Sequence, residues 1–186
     1  MMEVHKPDTR EYLYYFVQGL VISVALTFFF ESIARRVVSD FFSTHMAGFL
    51  LIVILAPIIE EYFKVYPLFN RHAETARSLI KLGFFSGLGF GVSEFFVYVF
   101  FAGAPVIVRL PGLLFHAAST SIAASGFYKN EFPKFYAIAV LLHAVNNFFA
   151  ELGDIWLIGG LATLLLAYII AYKEYSSAED EYTIPP

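Results

Sequence analysis

Glu60 and Glu61 stand side by side in a run, 47–69, that is otherwise apolar except for Lys64. A carboxylate at such a depth in a bilayer costs roughly 2.5–3.5 kcal/mol on insertion scales, and two adjacent ones also repel. A chain that keeps them there needs a polar interior to receive them. Further polar residues recur in later apolar runs: Glu94, then Arg109, His116 and Thr120, then His143, Asn146 and Asn147. Lys64 follows Glu60 by four residues and Glu61 by three, so on a helix it is within reach of either.

These types suit water-mediated hydrolysis of an amide. A carboxylate acts as general base, and a histidine orients the water or protonates the leaving amine. A second histidine and an amide donate to the developing oxyanion. Lys64 pairs with one glutamate while the other exchanges a proton. His116, His143 and Glu60 are also adequate zinc donors, although the favoured reading requires no cofactor. The chain has no cysteine, which removes disulfides, thiol nucleophiles and cysteine metal sites. It has no HExxH pattern. Ser125 sits in "AASG", without the leading glycine of a GxSG serine motif, and Asp154 sits in "LGDI", a poor match to the GxGD aspartyl type.

The elements that must position this set are membrane helices. Of 186 residues, 59% are hydrophobic, 19% aromatic and only 15% charged, against about 25% charged in soluble domains. Mean hydropathy is +0.67. The fold class expected is all-α: a polytopic membrane helical bundle of about six transmembrane helices around a polar intramembrane cavity. The spans read as 12–34, 47–69, 79–102, 105–127, 133–151 and 153–172, each long enough for a hydrocarbon core of ~30 Å. The first run is too long, and lacks the small-residue site, for a cleaved signal peptide. The whole chain, 1–186, reads as one domain, with the motif-bearing core at about 45–150 and an acidic, disordered tail from Lys173.

Lysine and arginine outside the spans set the orientation. Lys6, Arg10, Arg71, Arg77, Lys81, Lys129, Lys134 and Lys173 fall on one side, and only Arg35 and Arg36 on the other. Both termini are therefore expected in the cytoplasm, with the protein integral to a membrane, the plasma membrane of a prokaryote. The net charge of −4 gives no reason to expect a nucleic-acid partner. Oligomeric state is left open.

Helical spacing gives relative depths. At a rise of about 1.5 Å per residue, Glu60 lies roughly 20 Å into its span, and His116 and His143 roughly 15–17 Å into theirs. All three are expected in one layer. Glu94 and Arg109 fall nearer the other end, where they are expected to pair. Gly83, Gly87 and Gly91 form a small-residue stripe that lets a neighbouring helix approach and turns Glu94 toward it. Thr120 reads as structural, Asn147 as site residue or interhelix bond, and Glu31, His5, His45 and His72 as solvated. The many Phe and Tyr residues read as lipid-facing.

At these residues the chain resembles the PrsW-like branch of the CAAX-protease and bacteriocin-processing superfamily of intramembrane proteases. The matching segments are "EEYFK" at 60–64, "GFGVSE" at 89–94, "RLPGLLFHAAST" at 109–120 and "HAVNN" at 143–147, in order on successive spans. The resemblance implies an intramembrane endopeptidase with a membrane-anchored protein or peptide as substrate. One of Glu60 and Glu61 would activate water, helped by His116. His143 and Asn147 would stabilise the oxyanion, as in glutamate-dependent CAAX prenyl endopeptidases. Glu94 would be the additional glutamate of PrsW-like members, with Arg109 and Lys64 supporting site or substrate. The prenyl-endopeptidase pattern EExxxR is not met, since position 65 is Val65 and the basic residue is Lys64. Its FxxxH is not met either, because Gly112 stands four before His116. Phe95 replaces the asparagine that often follows the third glutamate.

Two other readings use the same residues. A small proton- or cation-coupled transporter would run buried carboxylates and histidines as a relay, although no inverted repeat or pair of broken helices accompanies them. A catalytically inactive member would use the cavity to hold a membrane helix.

Overall fold

The computed structural model describes residues 5–72, 74–180 and 183–184. Six long helices dominate it: α1 (Thr9–Phe41), α2 (Thr44–Asn70), α3 (Ala76–Phe101), α4 (Val106–Tyr128), α5 (Phe132–Ala150) and α6 (Trp156–Ser177). All but α5 are long and apolar enough to cross a membrane. Helix α5 spans 19 residues but carries His143, Asn146 and Asn147, which lower its hydropathy. The protein is a polytopic helical bundle.

Local chemistry explains the boundaries. Asp8 caps α1, accepting from the backbone N–H of Arg10 at 2.8 Å and of Glu11 at 2.9 Å. Thr75 caps α3 through the N–H of Ser78. Gly103, Asn130 and Gly153 take positive φ in the turns after α3, α4 and α5, a conformation that Gly and Asn tolerate best. Helix α1 is wider than the expected 12–34 and opens into a π-helical turn over Gln18–Ser23. Helix α2 does the same over Leu51–Leu55. Pro57 follows that turn and lacks an N–H, so it leaves a carbonyl without a helical donor.

The most intimate packing joins α3 to α4 through the expected glycine stripe. A Cβ at Gly83 would lie 2.6 Å from Ala124 Cβ and 2.9 Å from the Thr120 carbonyl, and one at Gly91 would lie 2.6 Å from the Leu113 carbonyl. At Gly87 it would collide with the His116 carbonyl. A second pair, Gly19 and Gly89, brings α1 against α3 in the same way. Along α4 the buried hydroxyls bond back to their own helix: Thr120 to the His116 carbonyl at 2.8 Å, Ser121 to Ala117 at 2.9 Å and Ser125 to Ser121 at 3.1 Å. These donors are satisfied locally and need no partner in lipid.

The tail differs from its expected disorder. Helix α6 runs past Lys173 to Ser177, with Glu174 paired to Lys129 at 2.5 Å and accepting from the Tyr128 hydroxyl at 3.0 Å. Ala178 is buried against Ala76 and Ile80. A two-residue strand, Thr183–Ile184, then pairs antiparallel with Glu74–Thr75. Residues 173–180 are held because their apolar and acidic groups meet complementary groups at the end of α4 and the start of α3, which a composition-based reading cannot see. Residues 181–182 and 185–186 of the expected disordered tail lie outside the described residues.

Candidate active site

Four helices bring the polar set together. Glu60, Glu61 and Lys64 project from α2, Glu94 from α3, His116 and Ser119 from α4, and His143 from α5. Ser86 on α3 fixes the α2 backbone here, its hydroxyl donating to the Lys64 carbonyl at 2.6 Å. The rings of His116 and His143 meet edge to face, 5.2 Å between centroids, with Phe90 and Phe115 packed around them.

The two glutamates are unlike. Glu61 is wholly buried, and its Oε1 accepts from Lys64 Nζ at 2.5 Å, from His143 Nδ1 at 2.8 Å and from Ser119 Oγ at 3.1 Å, while its Oε2 has no hydrogen-bond partner. Glu60 faces a different way. Its Oε2 is buried without a hydrogen-bond partner and lies 3.7 Å from His143 Nε2. Glu60, unlike Glu61, lines a cavity of about 290 Å³ together with Glu31, Glu94, Tyr98, Arg109 and Asn147.

The histidine protons follow from their partners. Lys64 Nζ can only donate, so His116 Nδ1, 2.9 Å away, accepts. His116 then carries its proton on Nε2 and donates it to Glu94 Oε2 at 2.5 Å. His143 Nδ1 donates to Glu61, which leaves the lone pair of a neutral ring on Nε2, toward Glu60.

Expectations change at Glu94, Glu31 and His5, while Asn147 makes the interhelix bond that is one of its two expected roles. Glu94 takes His116 as its partner, while the Arg109 guanidinium lies over the ring of Tyr98. The expected Glu94–Arg109 pair gives way because the glycine stripe draws α3 so close to α4 that Glu94 meets His116 first. Asn147 lines the cavity, but its Nδ2 donates at 3.0 Å to the Ile52 carbonyl, in the π-helical turn of α2. One of its two N–H groups is thus committed to helix packing. Glu31 is half-buried in the cavity wall rather than solvated, with Arg35 beside it. Its isolation on α1, 29 residues before Glu60, gave no spacing signal. His5 likewise has a partner, bonding Glu11 at 2.7 Å and packing on His72.

Glu60, His116 and His143 each offer one ligand atom, all within 4.8 Å of one another. A family model described as PrsW family intramembrane metalloprotease matches residues 8–172. The chain belongs to that family. No curated protein and no solved structure matches it. Membership makes this an intramembrane protease, integral to a membrane and acting on a membrane-embedded protein or peptide. The donor set suits a divalent metal: Glu60 brings an unsatisfied buried oxygen, His143 a free Nε2 with its far nitrogen held by a carboxylate, and His116 would join once its Nε2 proton passes to Glu94.

Proposed function

We propose that this PrsW-family chain hydrolyses a peptide bond of a membrane-anchored substrate with a water activated at Glu60. The observation that carries the reading is the unpaired, buried Oε2 of Glu60 at the cavity wall, opposite the lone pair of His143. Two acceptors 3.7 Å apart suit one water donating a proton to each. Glu60 takes the proton as the water oxygen attacks the substrate carbonyl, and later returns it to the leaving amine. The remaining Asn147 N–H is the donor left for the carbonyl oxygen as it gains charge, since the His116 Nε2 proton is already given to Glu94. Glu94 orients His116, and Glu61 orients His143. Lys64 fixes both Glu61 and His116 and touches no substrate. His143 thus takes the water-orienting part that the prenyl-endopeptidase resemblance implies for His116, because its Nδ1 proton is held by Glu61 and its Nε2 lone pair faces Glu60.

Glu60, His116 and His143 are the residues that would hold a zinc ion. Bound there, the ion would supply Lewis acidity and lower the pKa of a coordinated water.

The test is cleavage of single-span substrates by purified protein in liposomes, wild type beside Glu60→Gln and Glu61→Gln. Loss of cleavage in Glu60→Gln with the fold retained supports Glu60 as base. Undiminished cleavage by that variant would sink the assignment. Elemental analysis of the same preparations tells which chemistry operates. One zinc per chain that disappears in His143→Ala makes the donor set a metal centre. Full cleavage by zinc-free protein leaves the work to carboxylate and imidazole.

A further inference from the structure

Where α1 and α3 begin and α6 ends, away from the cavity that Glu60 lines, there is a second cavity of about 280 Å³. Its wall is mostly polar and carries three cations, Lys6, Arg77 and Lys81, with Tyr12, Thr75 and Ser78 between them. Arg77 and Lys81 are one helical turn apart on α3, and both reach across the ring of Tyr175 on α6, at 5.7 Å and 5.6 Å from its centroid. The Nε of Arg77 is buried with no hydrogen-bond partner, an unsatisfied donor of a kind that native structures seldom leave. Among the described residues, the one acidic residue of the wall is Asp180, from the tail. Its carboxylate accepts from the Thr75 hydroxyl at 3.0 Å and from Arg77 Nη1 at 3.5 Å.

The groups gathered here thus already hold an anion, with two cations, Lys6 and Lys81, beyond the one that Asp180 pairs with among the described residues. The Arg77 and Asp180 side chains are 40% and 41% exposed, so the cavity is open. It sits at the ends of three long apolar helices, the depth at which a bilayer presents its phosphates. Basic pockets between helices at that level bind anionic head groups. We propose that this cavity is a binding site for the phosphate of an anionic phospholipid, and that Asp180 is its built-in competitor. Lipid phosphate bound to Arg77 and Lys81 displaces the Asp180 carboxylate and loosens the tail from the start of α3. The site is independent of the hydrolytic chemistry.

The test uses full-length protein in detergent micelles titrated with phosphatidylglycerol or phosphatidylcholine, with bound lipid read by native mass spectrometry. Phosphatidylglycerol is expected to be retained about tenfold or more over phosphatidylcholine, and each of Arg77→Gln and Lys81→Gln to weaken it roughly fivefold. Lys134→Ala, which removes an exposed cation outside the cavity wall, should change nothing. Asp180→Asn should tighten binding. Equal retention of the two lipids, or unaltered binding in the Arg77→Gln/Lys81→Gln pair, overturns the proposal. If that pair does not fold, Asp180→Asn decides alone: tighter binding supports the site, and unchanged or weaker binding overturns it. Inorganic phosphate at millimolar concentration is expected not to displace the lipid. Complete displacement would overturn the lipid assignment and make this a free-phosphate site.

Discussion

Adjacent residues on α2 open onto two unlike regions. On the Glu61 side the bundle is closed, with carboxylate, Lys64, Ser119 and His143 locked in mutual hydrogen bonds at zero to three per cent exposure. On the Glu60 side it is open, with an unpaired oxygen and a cavity bounded by α1, α2, α3, α4 and α5. A buried carboxylate that holds a cation and two further donors on one oxygen, outside the cavity that Glu60 lines, is fixed in place even though its other oxygen, Glu61 Oε2, has no hydrogen-bond partner. One left unengaged beside a cavity keeps its lone pairs for something that enters. The closed side holds the histidines in place, and the open side is where we put the reaction.

The sharpest way to break this contrast is to neutralise each glutamate in turn. Glu60→Gln is expected to lower the cleavage rate by about 10²–10⁴-fold, the usual worth of a positioned general base. Its thermal midpoint in detergent should hold, because the oxygen it alters has no partner. The same change at Glu61 should lower the midpoint, since it disturbs three hydrogen bonds. Equal stability losses in the two variants would erase the distinction between the sides.

Lys64→Met attacks the closed side from its centre. It leaves the Glu61 carboxylate buried without its cation, and breaking a buried pair in this way costs about 3–5 kcal/mol. Thermal unfolding in detergent measures it, and a wild-type midpoint would show that the Lys64 pair is not what holds this region. Gly83→Leu tests the packing behind both sides. The new side chain must displace Ala124 and the Thr120 backbone, an overpacking cost of roughly 1–3 kcal/mol. It should separate α3 from α4 and so pull Glu94 off His116, reducing cleavage along with stability.

The smallest effect is expected at Asn147. Its bond to the Ile52 carbonyl is an interhelix hydrogen bond, worth on average about 0.6 kcal/mol in a membrane protein. Asn147→Ala should therefore barely move the thermal midpoint. A rate loss far beyond that small change would mark its second N–H as an oxyanion donor. A rate that falls only in step with stability would confine Asn147 to packing.

Much of this arrangement follows from local pattern. Apolar run length set the helices, since only lengths near 20 residues bury their backbone in hydrocarbon. The spacing at 83, 87 and 91 foretold the close α3–α4 contact, because residues four apart share one helix face. The rarity of intramembrane charge singled out Glu60, Glu61, Lys64, Glu94, His116 and His143, and like depths suggested that Glu60, His116 and His143 meet. Partner choice was not legible. Periodicity says which face a side chain occupies, but not which residue of another helix stands opposite or how that helix is rotated. So only the tertiary structure divided Glu60 from Glu61, gave Glu94 to His116, tied Asn147 to a carbonyl exposed by a π-helical turn, and brought Glu31 into the cavity. It also docked the acidic tail, whose composition alone suggested disorder, because Asp180 and Ala178 find their partners about a hundred residues back along the chain, at the start of α3.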